Sequence, residues 1–358
     1  MSRMFVSHTR FMTGITELKA LMNGMESINL LNQIDLQQVE VNLLDNNFKT
    51  IISNIINAHK DVDKRKYDYI TTIITLYGLL EDFVESVVKE YLIKLSNIFD
   101  EYINFPDNIR ELHIELSIEL IKNIHQSQYA NIVSKEDVIK NLYLCIEENK
   151  CKLNTWAYSH HNANFRLDEI KTVLKRIGID SFTNKVRNDS GFKDYFLATS
   201  PYSISAYPHL METQIFEYLE DLINRRNEIA HGNISNRLEH NLLKMYMDFI
   251  ETFVITSNNI LVKELLKYHI DSGLAIKINP INIHGKKILC FKLVNDSVCV
   301  NNILIGKRGD EILFSYIKSI GVGDKRYNKF SANEEVEIAV LLDFKVTKNM
   351  SYWLLHSF

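Results

Sequence analysis

Apolar residues recur at steps of three and four along most of the first 270 positions, the period of amphipathic helices. Ile51, Ile52, Ile55 and Ile56 stripe one such helix. Ile70, Ile73, Tyr77, Leu80, Val84, Val87, Tyr91, Leu95 and Ile98 stripe a second of about 30 residues, long enough to form one side of a bundle. Ser134 with Asp137 three residues on predicts a capped start for a helix running to about Lys152. Asn164 is read as the cap of the next helix. Asp168 and Glu169 sit in its first turns, Ile170, Val173, Leu174 and Ile177 face inward, and Gly178 stops it. Residues 179–208 hold two Pro among Ser and Asn without a clear period, so a long loop is expected. Helices over 210–230 and 236–268 complete the set, the latter opened by Asn236 and Glu239 at capping-box spacing.

Around Asp271, Ser272 and Gly273 the period falls to two. Leu274, Ile276 and Ile278 alternate with Ala275, Lys277 and Asn279, a strand pattern. Further strands are expected over 288–293, 298–304, 336–342 and 352–355, with Gly306, Gly309, Gly321 and Gly323 supplying turns. The fold class is therefore mainly α, a helical bundle with a small C-terminal β-rich domain, a barrel or a sandwich. The divisions expected are an N-terminal helical extension over 1–60, a helical domain over 61–270 and the β-rich part over 274–358.

Composition narrows the class. The chain of 358 residues is 46% hydrophobic with 12 Gly and 4 Pro, which excludes a disordered, collagenous or low-complexity scaffold. No stretch approaches the ~18 apolar residues of a membrane span, and residues 1–24 lack the apolar core of a signal peptide. Cys145, Cys151, Cys290 and Cys299 form no C-x-x-C pair, which fits a reducing, cytoplasmic setting. The net charge of −4 gives no sign of a nucleic-acid partner. Residues 274–358 carry 12 Lys/Arg against 8 Asp/Glu, too small an excess to mark a nucleic-acid-binding domain.

Most catalytic signatures are absent: no G-x-S-x-G elbow, Walker loop or H-E-x-x-H. His113-Ile114-Glu115 lacks the P-C-x-x-C of a deaminase, and Gly321-Val322-Gly323 reads as a hairpin turn. His160-His161 has no carboxylate or Cys at ligand spacing and reads as a polar loop, so neither metal nor cofactor is expected.

One segment stands apart, Arg225-Arg226-Asn227-Glu228-Ile229-Ala230-His231-Gly232. Extending the stripe Ile215, Leu219, Leu222 at about 100° per residue brings Arg226 within about 20° of it. A guanidinium on that side cannot lose its charge and needs an acid partner or an anionic ligand. Arg225, about 80° away, reaches the edge of the same face. The plain alternative is an Arg and a His complementing the helix dipole before a Gly cap. On the long helix Glu81 flanks the apolar stripe, placed to meet such an arginine; with Asp82 and Glu85 it also fits a solvated acidic face.

Arg226-Asn227 with His231 resembles the R-x(4–6)-H motif of HEPN domains, including the polar residue after the arginine. The stretch from Tyr77 to Phe83 is similar to that family's earlier helix with its acidic residue. Residues 164–178 resemble a helix of the branch labelled RiboL-PSP, found in bacterial defence and conflict genes. The resemblance spans roughly residues 60–265 and leaves the β tail aside. It implies a HEPN-like bundle and a metal-independent endoribonuclease working as a homodimer through its motif helices, within anti-phage abortive defence. It also implies a possible regulatory partner or antitoxin and no membrane. In that scheme His231 transfers protons, Arg226 holds the phosphate, Asn227 orients the ribose or phosphate, and Glu81 holds Arg226. Arg225, Lys171, Lys175 and Arg176 are candidates for guiding RNA, as are Arg187 and Lys193. Lys307-Arg308 and Lys325-Arg326, near Tyr327 and Phe330, offer the tail as RNA binder or as docking module. The alternative within the same family is a non-catalytic dimer that binds RNA, nucleotides or protein.

Five residues on an ideal helix leave His231 about 140° from Arg226, so the helix must end between them or the site must be composite.

Overall fold

The computed structural model describes residues 5–31, 50, 51, 54, 64–126, 129, 132–161, 164–234, 236–356 and 358. The helical part runs α1 (Val6–Leu31), α2 (Lys64–Ile98), α3 (Asp107–Asn123), α4 (Lys135–Ile146), α5 (Thr155–Ser159), α6 (Leu167–Arg176), α7 (Phe182–Asn188), α8 (Ser190–Thr199), α9 (Glu212–Ile215), α10 (Glu217–Ala230) and α11 (His240–Asp271). The long stripe predicted on α2 is buried as read, from Ile73 through Leu95. It faces Phe249, Ile250, Phe253 and Val254 of α11 in one continuous core. Phe11, Ile15, Leu18 and Met22 of α1 join that core, Phe11 meeting Phe83 edge to face at 6.0 Å. Lys19 ties α1 to Asp248 and Glu251 of α11. α1 is thus a wall of the bundle. Of the stripe at 51–56, Ile51 is helical and exposed, while Ile52, Ile55 and Ile56 lie outside the described residues.

Other boundaries differ for identifiable reasons. The Ser134 cap forms, its Oγ accepting from the Asp137 N–H at 3.0 Å, but α4 ends at Ile146. The expected loop over 179–208 contains α7 and α8, hinged at Asp189, whose carboxylate accepts from the N–H groups of Gly191 and Phe192. Their apolar pairs, Phe182 with Val186 and Phe192 with Phe196, are each only one turn long, too short to show a period. The helix read over 210–230 breaks at Phe216 into α9 and α10. α11 begins at His240, four residues after Asn236, and neither Asn236 nor Glu239 caps it through a side chain.

The β part forms β1 (Ile276–Ile278), β2 (Pro280–His284), β3 (Ile288–Leu293), β4 (Asp296–Cys299), β5 (Ile303–Arg308), β6 (Glu311–Tyr316), β7 (Ser319–Val322), β8 (Lys325–Tyr327), β9 (Lys329–Ala332), β10 (Val336–Leu341) and β11 (Ser351–Leu355). Antiparallel sheets in the orders β1-β11-β5-β6 and β2-β3-β10-β7-β8 pack as a sandwich, joined by the β4-β9 pair. The strand expected over 298–304 is two strands, parted where the Asn302 carboxamide accepts from the Cys299 N–H. Gly309 and Gly323 make turns with positive φ, whereas Gly306 and Gly321 lie inside strands. A Cβ on Gly306 would stand 2.8 Å from the Met350 methyl and 3.0 Å from the Phe344 ring.

Leu304, Tyr352 and Leu354 face the other sheet, while Ile303, Ile305, Ile312 and Leu355 face the helices and share their core. The four-stranded sheet is thus covered on both faces, which is why β5 opens as an unbroken apolar run.

Candidate active site

α10 carries Leu219, Leu222 and Ile223 fully buried and ends as its sequence dictates. Gly232 takes φ +77°, its N–H reaching the Ile229 carbonyl while the Asn233 N–H reaches that of Glu228. This is a Schellman closure, with His231 as the exposed capping residue. Opposite α10 lie Asn164, Arg166 and Leu167. Glu220 accepts from the Leu167 N–H at 2.9 Å and from Arg166 at 2.8 Å, capping α6 from another helix. Asn164, read as that cap, is released for a different contact.

The two neighbouring arginines diverge. Arg225 Nε donates to Asp221, and Nη1 donates to the Tyr69 hydroxyl at 3.3 Å and the Asn236 carbonyl at 2.7 Å. Tyr246 donates to the same Asp221. With 16% of its side chain exposed, Arg225, expected as a guide for RNA, is a tie between α2, α10 and α11. Arg226 is half-buried, and its guanidinium lies over the Tyr77 ring, 4.9 Å from the centroid. Its Nη1 donates to Asn227 Oδ1 at 3.3 Å. Among the described residues no carboxylate stands within 4.0 Å of it.

Glu81 therefore does not hold Arg226 directly. It accepts from the Tyr77 hydroxyl at 2.8 Å, and Tyr77 supplies the face on which Arg226 rests. Asn164 Oδ1 lies 3.4 Å from that hydroxyl, and Asn164 Nδ2 donates to Asn227 Oδ1 at 2.8 Å. The Phe165 N–H donates to Tyr77 Oη at 3.3 Å. Burial, with Glu81 beside it, holds the Tyr77 phenol well above its ordinary range, so it stays a neutral donor. The network thus runs Glu81, Tyr77, Asn164, Asn227, Arg226. Tyr77 and Asn164 are members that sequence reasoning missed; both were read by helical pattern, one as core and one as cap.

The remaining candidates scatter. Lys171 pairs with Asp168 and Glu212 at about 3 Å, and Arg176 donates to the Tyr158 and His160 carbonyls. Arg187 holds the carbonyls of Tyr207 and Leu210. Lys175 is exposed. The basic face expected on α6 is accordingly reduced, because two of its three charges are spent within the fold. His113 is buried, accepting from the Asn154 N–H, and burial lowers its pKa to about 4. His160 is buried against Tyr129, while His161 meets Glu85 of α2, a carboxylate that only the fold brings near. Among the described residues no three His, Cys, Asp or Glu side chains gather to hold a metal, and no helix is long and apolar enough to cross a membrane.

A family model described as RiboL-PSP-HEPN matches residues 40–263, well over half of the chain, and leaves the β sandwich outside. No curated protein and no solved structure matches.

Proposed function

The chain belongs to the RiboL-PSP-HEPN family, whose domains are generally ribonuclease-like, and from that premise we propose that it is an endoribonuclease cleaving RNA without a metal ion. The observation that carries the reading is the contrast between the two arginines. Arg225 is satisfied by an acid, a tyrosine hydroxyl and a backbone carbonyl, while Arg226 has an aromatic face, one carboxamide and no acid among the described residues. A half-buried guanidinium of that kind suits a phosphate, whose oxygens its planar fork matches.

RNA carries its own nucleophile, the 2′-OH beside each phosphate. Its attack makes a phosphorane with extra negative charge, and Arg226 stabilises that charge most as it builds. Tyr77 and Glu81 keep the guanidinium oriented, and Asn164 fixes Asn227, which positions the ribose or the scissile phosphate. His231, an imidazole on an exposed helix end, moves a proton. The products are a 2′,3′-cyclic phosphate and a 5′-hydroxyl. Arg226 turns toward α2 while His231 sits past the helix end, so a two-fold homodimer with its α10 ends facing each other brings two Arg/His pairs together. Lys175 and the solvent edge of α6 lead the RNA backbone in. In the cell this activity makes the protein an effector of anti-phage defence, restrained by its β sandwich or by a separate partner.

The test is cleavage of total RNA by the purified protein in excess EDTA, beside His231→Ala. Fragments ending in cyclic phosphate, absent with the variant, support the reading. Equal cleavage by both sinks it. A non-catalytic dimer is the competing reading, favoured by the separation of His231 from Arg226 within one chain. It predicts RNA binding without cleavage and no growth arrest on expression.

A further inference from the structure

Cleavage by 2′-OH attack moves two protons. One leaves the 2′-oxygen as its lone pair bonds to phosphorus, and one must reach the 5′-oxygen as its bond to phosphorus breaks. His231 serves one transfer. Arg226 is taken up by the phosphate, and Glu81 accepts from Tyr77. A second imidazole stands beside the same network, outside the R-x(4–6)-H motif.

Resting on the ribonuclease reading above, we propose that His161 is a further catalytic residue, the acid that protonates the 5′-oxygen leaving group, with Glu85 as its positioning partner.

His161 Nε2 meets Glu85 Oε1 at 2.9 Å. Glu85 follows Glu81 by four residues on α2, so both carboxylates lie on one side of the helix, about 6 Å apart along its axis. The His161 ring packs on Phe165 with centroids 3.9 Å apart, and the Phe165 N–H donates to Tyr77, on whose ring Arg226 rests. His161 thus reaches the network through Phe165. The ring is 13% exposed and Glu85 32%, so the pair reaches solvent from a mostly enclosed position. The carboxylate at hydrogen-bond distance fixes the orientation of the ring. Its neighbour His160 is buried and turned toward Tyr129, which leaves it no such part. In the step, the electron pair of the breaking P–O5′ bond goes to O5′, which takes the His161 ring proton. The base holds the 2′ proton, and water exchange restores both rings.

The bland role for this pair is a staple holding His161 and Phe165 on α2, and His161→Gln separates the two because its carboxamide still offers Glu85 a donor. The full-length protein is assayed on an RNA oligonucleotide and on the same oligonucleotide with sulfur replacing the 5′-bridging oxygen at the mapped cut, a leaving group that needs no proton. The expectation is a loss of about 10²–10³-fold for His161→Gln on the oxygen substrate, with melting temperature and RNA affinity unchanged. On the sulfur substrate its rate returns to within about tenfold of wild type. Glu85→Gln loses about tenfold and recovers in the same way, which gives a second reading should the first variant fold poorly. A His161→Gln protein that cuts the oxygen substrate within threefold of wild type overturns the proposal, as does loss on both substrates. No cutting by wild type, or equal cutting by His231→Ala, overturns the ribonuclease reading and this proposal with it.

Discussion

Arg225 and Arg226 are identical in type and adjacent in sequence, yet their surroundings assign them opposite work. Removing Arg225 takes a charged donor from Asp221, the Tyr69 hydroxyl and the Asn236 carbonyl in a mostly enclosed place. Arg225→Ala is therefore expected to cost about 2 kcal/mol of stability, read as a lower urea midpoint. Arg226→Ala gives up a cation–π contact and one hydrogen bond, under about 1 kcal/mol, but cleavage falls by about 10²-fold or more. Equal stability losses in the two variants would refute the division. Helical arithmetic brought Arg226 into view, but the partners that settle Arg225 come from α2 and α11, far away in sequence. Asn164 shows the same limit from the other side. Its residue type and position before Asp168 and Glu169 satisfy every local rule for a cap, and Glu220 of α10 takes that role instead. Asn164→Ala is expected to lower cleavage about tenfold with little change in melting temperature, because Asn227 loses its 2.8 Å partner. Unaltered cleavage would remove Asn164 from the site.

At the scale of elements, what the sequence made legible was whatever a single helix or strand decides for itself. α2, the end of α10, the Ser134 cap and β3 stand where their periods and caps put them, because a long stripe or a Gly at C′ needs no distant partner. Elements decided by neighbours were not legible: α7 and α8 are short and held by packing, and β4 and β5 part at a turn hidden in an apolar run. The end of α10 matters most, since it sets where His231 leaves the helix. Gly232 has nothing within 4 Å of where a Cβ would be, so substitution meets no clash, only its φ of +77°. Gly232→Ala is expected to cost about 1 kcal/mol through that dihedral alone. Cleavage falls further than stability, because the last turn frays and His231 moves. Proportionate losses in melting temperature and rate would argue that the closure only stabilises.

For the whole molecule, the sandwich is joined to the bundle by the outer face of its four-stranded sheet and by the aromatic seam where Phe358 meets Phe5 and His269. His269 belongs to that seam, its ring centroid 5.5 Å from that of Phe358, and no hydrogen bond reaches its Nδ1 among the described residues. Burial, helped by nearby Lys94, lowers its pKa to about 4; burial alone does the same to His113 deep in the bundle. Both rings are neutral in the fold, while in the unfolded chain they take up protons near pH 6.5. Between pH 6.5 and 4 the unfolded state thus binds more protons than the folded one, so stability falls as pH falls through that window and is fully kept above it. Each ring accounts for about 2 kcal/mol by pH 5. His8, lowered in the same sense by burial, adds to the slope. The urea midpoint is accordingly expected to drop steeply from pH 7 to pH 5. His269→Phe, which keeps an aromatic ring in the seam and removes the titration, is expected to flatten that drop by a third to a half. A variant with the wild-type slope would mean that His269 takes up its proton in the folded state, and that the seam between bundle and sandwich opens to water well before the bundle unfolds.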